Sequence, residues 1–261
     1  KCITPKTKAV VVVDLLGNMP DWNEILQLCQ NKGIRIIEDA AQGLGATYRG
    51  KQAGSFGEIS VFSFSPTKLI TSGQGGAFCT NDYSLYKKAK LLSHHGIDEK
   101  LTGKYFWSNI VGYNFSWTNL QASLALAQLN RIDELIAHKR WLFKEYKKHL
   151  EFIDGLKMSN SYDNVESVYW ITVIVLDSSY ELNKEKLMEK FLEYNIDTRP
   201  MYYPISSMPP FQSYITDKNM SSINSISYNL SKYAICLPNG NNLNSKDVEQ
   251  ICNALKSIIK D

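Results

Sequence analysis

Short apolar runs separated by a helical pattern dominate the first part of the chain. Residues 10–13 are four valines followed by Asp14, and such an uninterrupted β-branched run predicts a parallel strand buried on both faces. Asp21 then opens an amphipathic helix pattern. Residues 34–37 form a second apolar run, which leads to Asp39. Strand, helix and strand in this order predict a βαβ unit.

The rest of the chain continues with helical and extended patterns, and the order of these patterns changes after Gly155. The predicted elements are strands at 59–64 and 76–80, a helix at 81–93, a loop at 96–104, one long helix at 118–150, a strand at 169–176, a helix at 184–194, an irregular stretch at 206–227, a strand at 233–237 and a helix at 245–259. This order predicts an α/β protein: a large domain with a mostly parallel sheet at residues 1–135, then a connecting helix and a small α+β domain at 136–261.

Composition and charge exclude several classes of function. The 29 Lys and Arg residues nearly balance the 26 Asp and Glu residues, and a formal net charge of +3 is too small to indicate nucleic-acid binding. No apolar run approaches the roughly 18–20 residues that span a bilayer, so no membrane partner is expected. The five cysteines form no CxxC pair and no metal-type spacing. We therefore expect no metal site and a reducing, cytoplasmic location.

Two strand ends carry candidate chemistry. Asp39 follows a buried parallel strand, where α/β sheets place their ligands, although the same residue type also caps turns. Ser63, Thr67 and Lys68 follow the strand predicted at 59–64 and precede a glycine-rich loop. The hydroxyls suit an anion and the lysine suits attack on a carbonyl. A lysine that follows a strand is nevertheless most often exposed and structural, and the glycines are also compatible with a simple turn.

The order of several motifs narrows these alternatives. The chain carries the following motifs in this order: Glu38-Asp39-Ala40-Ala41-Gln42, Gly54-Ser55-Phe56-Gly57, Phe62 to Lys68, Gly75-Gly76-Ala77-Phe78, Gly112-Tyr113-Asn114, Thr118-Asn119-Leu120-Gln121-Ala122, Asp197-Thr198-Arg199-Pro200 and Leu237-Pro238. The series resembles the DegT/DnrJ/StrS family of pyridoxal-phosphate (PLP) dependent sugar aminotransferases, and within it the perosamine-synthase-like branch. The resemblance covers essentially the whole chain and implies the type I PLP-dependent aminotransferase fold.

The resemblance also implies roles for individual residues. Lys68 matches the lysine that forms a Schiff base with PLP, and Asp39 matches the acid beneath the pyridine nitrogen. Gln42 matches an amide near the ring hydroxyl, and Ser63 a hydroxyl that binds the phosphate. Asn114 matches an asparagine that reaches the cofactor of a neighbouring subunit. A homodimer with shared active sites is therefore expected.

The expected reaction is transamination of a nucleotide-linked keto sugar, with glutamate as amino donor and PLP and its amino form, PMP, as the two cofactor states. A 4-keto-6-deoxyhexose is the sugar that the branch implies. Related sugar dehydratases carry a histidine at the position of Lys68, so the aminotransferase is preferred over a dehydratase. A non-catalytic or regulatory remnant of the same fold is the other alternative.

Several further residues are candidates for substrate binding. His95 lies where relatives often have a His-Gly pair, and Arg199 suits a bidentate grip on the donor carboxylate. Pairing of Arg199 with a nearby acid is an equally good interpretation. Tyr202 would then line the same site. An aromatic cluster around Tyr113 suits stacking on a base, and packing at a dimer interface is the stronger alternative.

Two departures from the family pattern stand out. Ser116 occupies a position where relatives usually carry an arginine, which puts the binding of an anionic ligand there in doubt. The resemblance also implies that about the first hundred residues of the family are lacking, including a turn for the cofactor phosphate and an aromatic that stacks on the ring. We therefore expect this chain to bind PLP weakly unless an upstream segment is supplied.

Overall fold

The computed structural model describes residues 2–215 and 219–260 and contains two compact units. One comprises Lys1–Ala137 with Ser161–Trp170, and the other His138–Asn160 with Ile171–Asp261. The segment 161–170 thus returns to the first unit after the chain has entered the second. The domain boundary at 135/136 stays a prediction, and it did not anticipate this return.

The first unit is built on a four-stranded sheet with the order β1-β2-β5-β6. Its strands are β1 (Ala9–Val13), β2 (Arg35–Asp39), β5 (Ile59–Ser63) and β6 (Gly76–Cys79). The first three run parallel and β6 is antiparallel to β5. A second, three-stranded sheet pairs β3 (Thr47–Tyr48) with β4 (Lys51–Gln52) and with β8 (Val165–Glu166).

The two faces of β1 differ in burial. Val12 is 7% exposed, whereas Val11 and Val13 on the opposite face are 59% and 42% exposed. The prediction that this strand is buried on both faces was therefore wrong for the described residues. β1 is an edge strand, and only the face packed on the core of Met19, Trp22 and Ile36 is covered.

The helices of the first unit begin at capping residues that are visible in the sequence. They are α1 (Trp22–Asn31), α2 (Tyr83–Ser93), α3 (Glu99–Thr102) and α4 (Asn119–Leu129). Asp21 and Asp82 cap the first two, and Thr118 forms a capping box with Gln121. The short α3 lies in the segment predicted to be a loop.

The helix predicted at 118–150 is in fact two helices, α4 and α5 (Ile132–Leu150). The chain tightens after α4, where the Arg131 amide donates to the carbonyl of Gln128, three residues back. Asp133 and Glu134 then occupy the first turn of α5, where negative charge favours a helix start. Apolar spacing continues across the junction, so the sequence pattern alone did not reveal the break.

The second unit is an antiparallel sheet packed against helices. Its strands are β7 (Leu156–Met158), β9 (Val173–Leu176), β10 (Arg199–Pro200) and β11 (Ala234–Cys236), in the order β10-β11-β9-β7. Its further helices are α6 (Lys184–Glu193), α7 (Met220–Ile223), α8 (Ser225–Tyr233) and α9 (Ser245–Ile258). Its core includes Leu142, Tyr146, Ile174, Phe191 and Leu255.

Two predicted elements of the second half need correction. The strand predicted at 169–176 begins only at Val173, because residues up to Trp170 belong to the first unit and Tyr169 has a left-handed φ of 49°. The stretch predicted to be irregular at 206–227 includes α7 and the start of α8. Its residues 216–218 lie outside the described part of the chain.

Within the described residues, every helix is too short or too polar to cross a bilayer. Those same residues also contain no group of three or more His, Cys, Asp or Glu side chains that are placed to hold a metal ion.

Candidate active site

The carboxyl ends of β2 and β5 meet at one edge of the main sheet. Asp39 is paired with Val61 in the parallel ladder, and Ser63 is the last residue of β5. One oxygen of the half-buried Asp39 carboxylate accepts the Ala41 amide at 3.1 Å. The turn-capping role considered for Asp39 is thus present, and it uses one carboxylate oxygen in this hydrogen bond.

Gln42 links this edge to the turn that follows β1. Its Oε1 atom accepts the amide of Leu16 at 2.7 Å, and the Asp14 amide donates to the carbonyl of Asp39 at 3.0 Å. Leu16 has a left-handed φ of 60°, so its turn is held by these bonds rather than by backbone preference. The Gln42 side chain therefore has a structural role at the site, whatever it binds.

Ser63 begins a loop that is rich in hydroxyl groups. Its Oγ atom lies 3.3 Å from that of Ser65 and accepts the Ser65 amide at 3.4 Å. The loop returns to β6 where the Phe64 amide donates to Gly75. A Cβ atom on Gly75 would come within 2.0 Å of the Trp117 indole, so only glycine permits this close packing.

Lys68 is half-buried in the same loop. Its Nζ atom lies 4.3 Å from the centre of the Trp170 ring, and the Trp170 indole N–H donates to the carbonyl of Thr67 at 2.8 Å. Burial lowers the pKa of Lys68, and the negative charge of Asp39 opposes that shift. The amine and the Asp39 carboxylate therefore lie within electrostatic reach of each other.

Two buried carboxyl groups behind this edge were not predicted. Glu38 is fully buried and accepts hydrogen bonds from the amides of Gly54, Phe56 and Gly57 and from the Ser60 hydroxyl. It thereby holds the loop at residues 54–57 against the sheet.

Asp14 is also fully buried, and its carboxyl lies beside that of Glu38, to which it can donate a hydrogen bond when it is protonated. Burial, and next the negative charge of Glu38, raise the pKa of Asp14 to about 8. The alternation of side chains between the two faces of a strand could have indicated that both carboxyl groups are buried. Val12 is paired with Glu38, and Asp14 lies two residues beyond Val12 on the same face.

Asn114 and His95 occur together in an exposed region of the first unit. Asn114 forms an isolated bridge with His94, and the His95 amide donates to the carbonyl of Tyr113 at 2.9 Å. The side chains of Asn114 and His95 are exposed. The structure therefore brings these two predicted residues together, on a surface rather than in the interior.

Arg199 and Tyr202 belong to the second unit. The Arg199 guanidinium lies 3.0 Å from the Asp197 carboxylate, and both side chains are exposed, so the alternative pairing with an acid is present. Tyr202 is 48% exposed, and burial of part of its side chain raises its pKa.

Comparison with known proteins identifies the class. The fold matches that of a solved aminotransferase, PseC from Helicobacter pylori, with a TM-score of 0.91 and 26% identity over 99% of this chain and 68% of that protein. Spr1654 from Streptococcus pneumoniae, solved in a PLP form, matches with a TM-score of 0.89 and 22% identity over 99% of this chain and 70% of that one. The predicted α/β sugar-aminotransferase fold is confirmed.

The sequence then gives the family. Residues 1–256 match the profile of the DegT/DnrJ/EryC1/StrS aminotransferase family, and the chain belongs to this family, as predicted. The GDP-perosamine synthase of Vibrio cholerae is 35% identical over 256 residues, which are 98% of this chain and 67% of that enzyme. The Caulobacter vibrioides GDP-perosamine synthase is 36% identical over 82% of this chain, and the match spans 57% of that enzyme.

The side chains at the sheet edge fit a PLP group. Lys68 supplies an amine with a lowered pKa, and Asp39 supplies a carboxylate for a cationic ring nitrogen. The neighbouring hydroxyls of Ser63 and Ser65 suit phosphate oxygens.

Proposed function

We propose that this chain carries the nitrogen-transferring site of a PLP-dependent enzyme that moves an amino group from glutamate to a nucleotide-linked keto sugar. The Lys68 amine carries the proposal, because it is half-buried, has a lowered pKa and lies within electrostatic reach of Asp39. Relatives named GDP-perosamine synthase support a 4-keto-6-deoxyhexose as the sugar. A relative named for spore coat polysaccharide biosynthesis supports a role in building glycans.

The residues at the sheet edge act as follows. When bound, PLP supplies an electron sink for the carbon that loses or gains a proton. Lys68, whose lowered pKa increases the neutral fraction of its amine, would hold the cofactor as its nucleophilic lysine. When it is free, the same amine would act as the acid and base that moves a proton to and from the donor's α-carbon. Asp39 keeps the ring nitrogen protonated by charge pairing.

The remaining predicted residues hold the ligands. Ser63 would bind phosphate oxygens of the cofactor, and Gln42 would contact its ring hydroxyl. Arg199 grips the donor carboxylate, a role for which its present partner Asp197 competes. His95 in the first unit and Tyr202 in the second are each candidates for contact with the substrate. We place the reaction in the cytoplasm, in accord with the free cysteines found among the described residues.

Covalent capture tests the role of Lys68. We incubate the chain with excess PLP, reduce with borohydride and locate the modified lysine by peptide mass spectrometry. The label is expected on Lys68, and Lys68→Ala is expected to lose it completely. Lys88→Ala, which removes a surface lysine of α2, serves as the matched control and is expected to keep the label on Lys68. A label that survives Lys68→Ala, or that is spread evenly over surface lysines, contradicts the assignment.

Product analysis separates the reactions open to this fold. With glutamate and a nucleotide 4-keto-6-deoxyhexose, the proposal predicts an amino sugar and 2-oxoglutarate. A deoxy sugar with no nitrogen would identify a dehydratase. Capture of PLP at Lys68 with neither product would identify a binding-only remnant.

We further propose that the aromatic stretch 105–115 is the surface on which two copies of the chain associate. Phe106 is 89% and Phe115 71% exposed, and Tyr113 stacks on Phe115 with ring centres 4.9 Å apart. Asn114 lies between the two stacked rings in sequence, so a second copy seated here would meet it. Large exposed apolar patches of this kind mark association surfaces.

Phe115→Ser is expected to weaken this association about thirtyfold, the effect of losing an aromatic hot spot of about 2 kcal/mol. Sedimentation velocity over a concentration series measures the change. Phe152→Ser is the control, because Phe152 is 87% exposed but belongs to the second unit. Equal dissociation constants for the two variants would refute this choice of surface.

A further inference from the structure

Trp170 contacts the candidate lysine in two different ways. Its indole N–H donates to the carbonyl of Thr67, the residue that precedes Lys68, at 2.8 Å. The face of the same ring lies under the Lys68 amine, with Nζ 4.3 Å from the ring centre. One side chain therefore contacts both the backbone beside Lys68 and the end of its side chain.

We infer that Trp170 is a positioning residue for Lys68, which fixes the loop through its N–H group and supports the amine on its ring face. The inference rests on the proposed function of Lys68, but it concerns a residue more than a hundred positions away in sequence. No sequence motif pointed to it.

The segment that carries Trp170 is anchored independently of Lys68. The Ser167 hydroxyl and the Val168 amide both donate to the carbonyl of Gly17, at 2.7 and 3.0 Å. Gly17 has a φ of 81°, and a Cβ atom there would lie 2.7 Å from the Trp170 amide nitrogen. Trp170 itself is only 7% exposed. Its ring is thus held by a docked segment, and this gives the Lys68 amine a defined support.

The ring also biases the charge of the amine. An aromatic face attracts an ammonium group and not a neutral amine, so it opposes the effect of burial. The Asp39 carboxylate acts in the same direction as the ring. Trp170 and Asp39 together keep a usable protonated fraction on an amine that burial alone would neutralise further.

A packing role and a positioning role predict different results for two substitutions. Trp170→Phe keeps an aromatic face but removes the N–H donor. Trp170→Leu keeps an apolar side chain but removes both. Both variants lose packing contacts of the indole. Only Trp170→Phe retains an aromatic face, which partly supports the charged amine.

The test measures the pKa of Lys68 without PLP. The chain is acetylated with limiting reagent across a pH series, and peptide mass spectrometry gives the reactivity of each lysine. The midpoint is the pH at which Lys68 reaches half of its maximal reactivity. In Trp170→Leu this midpoint is expected about 0.5–1 pH unit below that in Trp170→Phe. Coincident midpoints, or a uniform rise in reactivity at every pH, would overturn the inference and leave Trp170 a packing residue.

Tyr83→Leu provides the control, because the Lys87 amine lies 4.6 Å from the centre of the Tyr83 ring on an exposed surface. This variant is expected to leave the Lys68 midpoint unchanged. Urea denaturation of each variant identifies the pH range in which all remain folded, and only that range is used. Since no PLP is present, failure of covalent capture at Lys68 would refute the proposed function and leave this test intact.

Discussion

Replacing Glu38 by alanine is expected to lower the free energy of unfolding by about 3–5 kcal/mol, because several buried donors lose their shared acceptor. The carboxylate is fully buried and accepts the amides of Gly54 at 2.6 Å and Phe56 at 2.8 Å. It also accepts the Gly57 amide and the Ser60 hydroxyl. Urea unfolding followed by fluorescence measures the change.

Glu58→Ala is the matched control. Glu58 is partly exposed and pairs with Arg35 at 2.6 Å, and exposed ion pairs contribute at most about 1 kcal/mol. Glu38→Gln provides a milder variant if the alanine protein does not fold, since it keeps one acceptor. Hydrogen exchange is expected to accelerate first at the amides of Gly54 and Phe56. Equal stability losses in Glu38→Ala and Glu58→Ala would show that Glu38 does not hold the loop at residues 54–57.

Asp14 is expected to make the stability of the protein fall as the pH rises from about 4 to about 8. Its carboxyl is fully buried beside that of Glu38, and its pKa is raised from 3.8 to about 8. Between these two values the unfolded chain is ionised while the folded chain retains the proton. The folded state therefore binds more protons, and stability declines by up to about 1.4 kcal/mol per pH unit, to an upper bound of about 6 kcal/mol.

Asp14→Asn removes this titration. The amide is expected to cost a constant amount at every pH, so the difference in unfolding free energy between variant and wild type is the quantity to measure from pH 5 to pH 8. That difference should shift steadily in favour of the variant as the pH rises. Asp163→Asn, at an exposed site, is expected to show no such trend over the same range. A flat difference for Asp14→Asn would mean that the buried carboxyl ionises normally.

Local sequence signals predicted where helices begin better than they predicted which strand faces are buried or where a helix breaks. Asp21 and Asp82 cap helices that begin where their positions indicated, because capping depends on the nearest backbone amides alone. The burial of Val11 depends instead on what covers the far side of the sheet, and the break at Arg131 leaves the apolar spacing unchanged. Neither property is encoded in the local pattern.

The candidate site shows the same division. Asp39 ends β2 and Ser63 ends the neighbouring β5, so parallel pairing made their position at one edge of the sheet predictable. Lys68 follows in the loop after β5. Glu38 and Asp14 were predictable in principle from strand alternation. Trp170 was not, because its contact with Lys68 depends on a long-range return of the chain. The proposed ligand-binding roles of Asn114, His95, Arg199 and Tyr202 stay predictions.

The return of Ser161–Trp170 to the first unit has a consequence for synthesis. Because the indole that supports Lys68 arrives only with Trp170, the first unit cannot complete its structure while the ribosome is still translating α5. A truncated gene ending at residue 135 would therefore yield Lys68 without the Trp170 ring beside it. The two units cannot be separated by one cut of the chain, and any dissection of this protein must carry both pieces of the first unit.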